Sequence, residues 1–160
     1  SILATRGRSY QPHIIKTIHQ SPIYEKKPVA LPPLVAHPDS WQVVINAMID
    51  VVEKGTGSLG YGPHPYRLAG KTGTAQVKKI TKLQRELDLD TAQIPYEERD
   101  HAWYVAFGPY KDPRYALCVL VEHGGSGSAT AAPLAKKLFK TIVDRHEERE
   151  KIREKSLMEI

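Results

Sequence analysis

The sequence predicts an α+β fold, an antiparallel sheet of three strands packed by helices. Two runs, His101–Phe107 and Tyr115–Val121, are rich in aromatic and β-branched residues, and a Gly108-Pro109 turn joins them. A third extended stretch, Leu68–Val77, precedes them and is built around Gly70 and Gly73. Helical patterns flank the strands, with apolar spacing from Trp41 to Val52 on one side and from Leu134 to Val143 on the other. The run Tyr115–Val121 is almost wholly apolar, the composition of a strand with neighbours on both sides. More strands than these three are therefore expected in the full domain.

Taken in order, the chain opens irregularly and gives a short extended piece, His13–Ile18. Pro22, Pro28, Pro32 and Pro33 then forbid a helix, so the connection runs over the surface. His37-Pro38-Asp39-Ser40 supplies a first-turn proline and capping groups. Trp41, Val44, Ile45, Met48, Ile49 and Val52 form the buried stripe of the helix that follows, and Gly55 ends it. Gly55–Gly62 reads as a mobile glycine-rich turn. After Val77 the pattern is polar and helical over Lys78–Leu89. The last helix starts near Ala129, takes Pro133 in its first turn, and is expected to bury Leu134, Leu138, Ile142 and Val143. This divides the chain into a folded part, residues 1–143, and a charged helical extension or tail, residues 144–160.

The 160 residues suffice for one domain with a core, and the net charge of +5 is mild. Its basic residues do not interleave with aromatics in the manner of a nucleic-acid grip, so nucleic acid is not an expected partner. Cys118 is the single cysteine and sits in apolar company, which predicts a small buried hydrophobe. The 7 histidines are scattered without metal-ligand spacing, so no metal or cofactor is expected. No apolar run approaches the ~20 residues that span a bilayer.

The chemistry concentrates at Leu68-Ala69-Gly70-Lys71-Thr72-Gly73-Thr74-Ala75-Gln76-Val77. On a strand, Thr72 and Thr74 share a face while Lys71 points the other way. The two hydroxyls and nearby N–H groups can hold a carboxylate or an oxyanion, and bare Gly73 lets a ligand lie against the strand. A phosphate-binding loop also ends in Gly-Lys-Thr, but it needs a glycine where Pro65 stands. An ordinary edge strand behind a glycine-rich turn is the plainer alternative, and a triplet alone does not decide between them.

The wider pattern does. Gly70-Lys71-Thr72-Gly73-Thr74-Ala75-Gln76 resembles the third active-site motif of the penicillin-binding proteins. Asp100-His101-Ala102-Trp103, leading into Phe107-Gly108-Pro109, is similar to a run in their elongation-class (class B) members, and Ala132-Pro133 also suits the family. The resemblance implies the penicillin-binding protein/serine β-lactamase fold and a peptidoglycan D,D-transpeptidase that crosslinks stem peptides through a serine acyl-enzyme. It implies Lys71, Thr72, Gly73 and Thr74 as site residues. Thr72 and Thr74 would bind the terminal carboxylate, and the Thr74 backbone N–H would complete the oxyanion hole. Implied partners are D-Ala-D-Ala stem peptides, β-lactams, the N-terminal half of the domain and a membrane cell-wall glycosyltransferase. The implied location is the periplasmic face of the bacterial inner membrane.

The family's nucleophile belongs to a Ser-x-x-Lys motif, with Ser-x-Asn as a second motif. No serine here is followed by lysine three residues on or by asparagine two residues on. The chain is therefore expected to be the C-terminal part of the transpeptidase domain, inactive alone. The alternative is a non-catalytic peptide-binding module of the same fold.

Overall fold

A computed structural model describes residues 1–15, 17–19, 24–58, 67–79 and 91–158. Strands β1 (Thr17–Ile18) and β2 (Tyr24–Glu25) form a small antiparallel ribbon near the N-terminus. Helix α1 spans Pro38–Glu53, opened by Pro38 and capped where the His37 side chain accepts from the Asp39 N–H. Strands β3 (Ala69–Ala75), β4 (His101–Gly108) and β5 (Tyr115–Val121) make an antiparallel sheet in the order β3-β4-β5. A π-helical turn, Gly127–Ala131, then leads into helix α2 (Ala132–Met158). The helix expected over Lys78–Leu89 falls largely outside the described residues, which resume with short 3-10 turns at Thr91–Gln93 and Tyr96–Glu98.

The register explains the core. Thr72 lies opposite Tyr104, and Tyr104 opposite Val119; Thr74–Ala102–Val121 and Gly70–Ala106–Leu117 are the neighbouring rows on that face. Ala102, Tyr104 and Ala106 pack there against Ala131, Ala132 and Ala135. At the start of β3, Ala69 and Phe107 meet Ile45 and Met48 of α1. Leu68 joins Val52 to Phe139 and Val143, which ties the two helices together.

Among the described residues β4 is the middle strand, and β5 pairs with β4 alone and alternates between half-buried and exposed positions. Three expectations are corrected. Cys118 is exposed, because it lies in the Lys71–Val105–Cys118 row, on the face away from the alanines of α2. The buried stripe of α2 is Ala132, Ala135, Lys136, Phe139 and Val143, whereas Leu134, Leu138 and Ile142 are 47%, 51% and 41% exposed. The helix carries two apolar stripes about 100° apart. The close approach of the π-turn to the sheet selects the one that begins with small residues. On α1, Trp41, Ile45, Met48 and Val52 are buried as expected, but Val44 is exposed.

The charged residues after 143 continue α2 without a break. Arg114, in the turn before β5, reaches the Glu150 carboxylate (2.9 Å) and His146 Nε2 (2.8 Å) and holds this extension to the sheet. The hydrogen bond from Arg114 holds the Glu150 carboxyl below its ordinary value.

Tyr104 is fully buried, and its hydroxyl has no hydrogen-bond partner among the described residues. Burial pushes its pKa up to about 12. A buried, unpaired hydroxyl carries its whole desolvation penalty. Tyr104→Phe is therefore expected to raise stability by about 0.5–1 kcal/mol in urea denaturation. A loss of the same size would show that the hydroxyl is paired.

Candidate active site

Among the described residues, strand β3 is paired on one side only, by β4. Its other edge presents alternate backbone N–H and C=O groups, since in an antiparallel strand both groups of one residue point the same way. Lys71 Nζ donates to the Thr72 carbonyl oxygen at 2.7 Å, which places that carbonyl on the open edge. By alternation, the backbone groups of Thr74 share the edge with those of Thr72. Lys71 and Thr74 are exposed, and Thr72 and Gly73 are half-buried.

The two threonine hydroxyls are held from different parts of the chain. Thr72 Oγ1 is 2.9 Å from Thr56 Oγ1, in the turn after α1. Thr74 Oγ1 accepts from the Gly127 N–H at 3.5 Å, at the start of the π-turn. Lys71, Thr72, Gly73 and Thr74 thus stand together on one strand, with Lys71 facing opposite to the threonines as the period-two reading requires.

Glycines set the spacing beneath the site. A Cβ on Gly70 would fall 2.5 Å from the Tyr104 hydroxyl, and one on Gly127 would fall 2.2 Å from the Gly73 carbonyl oxygen. Gly73 is less crowded: a Cβ there meets only the Trp103 Cβ, at 3.3 Å. Trp103 is opposite Gly73 and half-buried, while Tyr104 is core.

The Asp-His-Ala-Trp run has structural duties at the far end of the strand. Asp100 Oδ1 accepts from the Val77 N–H (3.2 Å), and the Asp100 carbonyl accepts from the Gly125 N–H (2.8 Å). His101 Nδ1 accepts from the His123 N–H at 2.9 Å. That acceptance fixes the neutral His101 tautomer with its proton on Nε2. The start of β4 is thereby fastened to Val77 beyond β3 and to His123 and Gly125 beyond β5. Glu122 is exposed, as a solvated carboxylate at a strand end would be. No group of three or more metal-ligating side chains gathers among the described residues.

Sequence reasoning missed Thr56 and Gly127. Thr56 was hidden in a turn that reads as mobile, and its only signal was a hydroxyl among glycines.

The family description "Penicillin binding protein transpeptidase domain" matches residues 1–142. The chain belongs to this family. Among curated members it is similar to the peptidoglycan D,D-transpeptidase MrdA of Haemophilus influenzae, 34% identical over 143 residues, covering 87% of this chain and 22% of that protein. MrdA of Salmonella typhimurium is 33% identical over 147 residues, covering 89% and 23%. Among solved structures, penicillin-binding protein 2 of Pseudomonas aeruginosa superposes with a TM-score of 0.60 at 35% identity, over 86% of this chain and 26% of that one. Penicillin-binding protein A of Mycobacterium tuberculosis, solved as a penicillin G acyl-enzyme, shares the fold at 23% identity and a TM-score of 0.61, over 89% and 29% of the two chains. The chain spans about a quarter of the length of these relatives. The likeness to the elongation-class enzyme read from the Asp-His-Ala-Trp run agrees with these matches, as does the α+β penicillin-binding protein fold.

Proposed function

We propose that this chain supplies the substrate-binding strand of a peptidoglycan D,D-transpeptidase that works through a serine acyl-enzyme and is acylated by β-lactams. The observation that carries this is the open edge of β3, where Lys71 and the hydroxyls of Thr72 and Thr74 surround a stretch of backbone unpaired among the described residues. In this reading the nucleophilic serine and its lysine come from another part of the protein. The serine attacks the carbonyl of the penultimate D-alanine of a stem peptide and expels the last D-alanine. An amine of a neighbouring strand then attacks the acyl-enzyme, which restores the serine and leaves a crosslink.

In this reading each residue of the motif has a role. Thr72 and Thr74 hydroxyls donate to the terminal carboxylate, and the Thr74 N–H, on the open edge, stabilises the oxyanion with the serine's own N–H. Lys71 supplies positive potential beside both. Gly73 lets the substrate lie flat along the strand. The face that bears Lys71 also leaves Val105 40% and Leu120 42% exposed, a surface suited to cover by the rest of the domain. The protein would act at the periplasmic face of the bacterial inner membrane, beside a membrane glycosyltransferase that makes the glycan strands.

Labelling tests this reading. The protein carrying the complete domain is incubated with benzylpenicillin, and the adduct is mapped by peptide mass. The expected result is one penicilloyl group on a serine outside residues 1–160 of this numbering, and none on the isolated chain. Absence of any adduct on the complete protein, with retained binding of a D-Ala-D-Ala peptide, would favour the non-catalytic binding module.

A further inference from the structure

We infer that Thr56 is a positioning residue for carboxylate recognition: its hydroxyl donates to Thr72 Oγ1 and so reserves the Thr72 proton for the substrate. This rests on the transpeptidase reading and extends it to a residue outside the Lys-Thr-Gly motif.

The turn that carries Thr56 is fixed. The Gly55 N–H bonds to the Asp50 carbonyl (3.0 Å) and the Gly57 N–H to the Val51 carbonyl (2.9 Å). Ser58 Oγ closes the turn on the Gly55 carbonyl at 2.6 Å. Gly57 is buried, and a Cβ there would lie 3.0 Å from the Val51 carbonyl oxygen and 3.4 Å from the Tyr104 hydroxyl. Thr56 is therefore held over β3 by its neighbours, and its 2.9 Å bond to Thr72 spans 16 residues of sequence.

The direction of that bond follows from proton counting. A threonine hydroxyl has one proton and two acceptor positions, and an ionised carboxylate only accepts. For Thr72 to grip a carboxylate, its single proton must go there, so the proton between the two threonines must come from Thr56. Thr74 is arranged alike, since the Gly127 N–H already occupies an acceptor position on its oxygen. Both hydroxyls are thereby kept as donors before substrate arrives. Without Thr56, the Thr72 hydroxyl is free to rotate, and that freedom is lost on binding.

The test compares Thr56→Val and Thr56→Ser in the protein carrying the complete domain, using benzylpenicillin and its methyl ester. Valine keeps the shape and removes the hydroxyl, whereas serine keeps the hydroxyl. The expected result is an acylation rate constant for benzylpenicillin lowered about five-fold in Thr56→Val and restored in Thr56→Ser, with the ester changed less than about two-fold. Equal losses on acid and ester would show a merely structural role and overturn the inference, as would a Thr56→Val protein that behaves as wild type. A wild-type protein that takes no acyl group from benzylpenicillin would instead overturn the transpeptidase reading, and this inference with it.

Discussion

Lys71→Ala in the complete domain is expected to slow acylation by benzylpenicillin by about a hundred-fold while leaving the fold intact. The side chain is exposed, and its one described polar contact is its bond to the Thr72 carbonyl. Surface substitutions of this kind stay within about 0.5 kcal/mol of wild-type stability. The effect on rate has a different origin. In the proposed reaction, negative charge develops on the attacked carbonyl oxygen beside Thr74, and the substrate brings a carboxylate to Thr72. A positive charge about 4 Å from either contributes roughly 4 kcal/mol at the effective dielectric of a protein surface. Part of that acts equally on bound substrate and transition state, so the rate loss is smaller than the full figure implies. Removing a preorganised electrostatic group typically costs about 10²–10³ in rate. Stopped-flow acylation with a chromogenic cephalosporin measures it, and an unchanged rate constant would remove Lys71 from the chemistry. Lys71→Arg should recover part of the rate, because the charge returns while the compact ammonium does not.

The elements that could be read in advance are those set by local periodicity. Helix α1 lies where Pro38 and the Trp41–Val52 spacing put it, and β4 and β5 fall on the two apolar runs. The alternation of Lys71 against Thr72 and Thr74 is likewise a property of any strand. What could not be read was the choice among equally apolar surfaces. Leu134, Leu138 and Ile142 are larger than Ala132 and Ala135 and look like the better stripe, yet the close approach at Gly127 brings the small residues to the sheet. Cys118 fails for a related reason, since a run of apolar residues does not say which face its helices cover. The site divides in the same way. Its motif strand is contiguous and therefore legible. The groups that hold the motif come from 16 and 53 residues away, and no local pattern marks them.

Gly127→Ala carries the larger expected effect on folding, and Gly73→Ala is its contrast. A Cβ on Gly127 would sit 2.2 Å from the Gly73 carbonyl oxygen and 2.7 Å from that of Trp103. Both are backbone atoms of paired strands, so neither can swing aside as a side-chain tip would. The π-turn must lift off the sheet, taking with it the Gly127 N–H that holds Thr74 and loosening Ala131 and Ala132 against Tyr104. Overpacking of this kind costs about 1–3 kcal/mol, and rigid backbone neighbours put the expected value at the upper end. Acylation should fall by about ten-fold or more, because Thr74 loses its partner and shifts relative to the oxyanion. On Gly73 the new methyl meets only the Trp103 Cβ at 3.3 Å, which a shift of a few tenths of an ångström relieves. Gly73→Ala should therefore keep most of its stability yet acylate poorly, because the methyl stands where a ligand is to lie along the strand. Urea midpoints and acylation rates on both variants separate the two roles. A Gly73→Ala protein with wild-type acylation would mean that substrate does not approach this strand over Gly73. A Gly127→Ala protein with wild-type stability would mean that the π-turn is not anchored on β3.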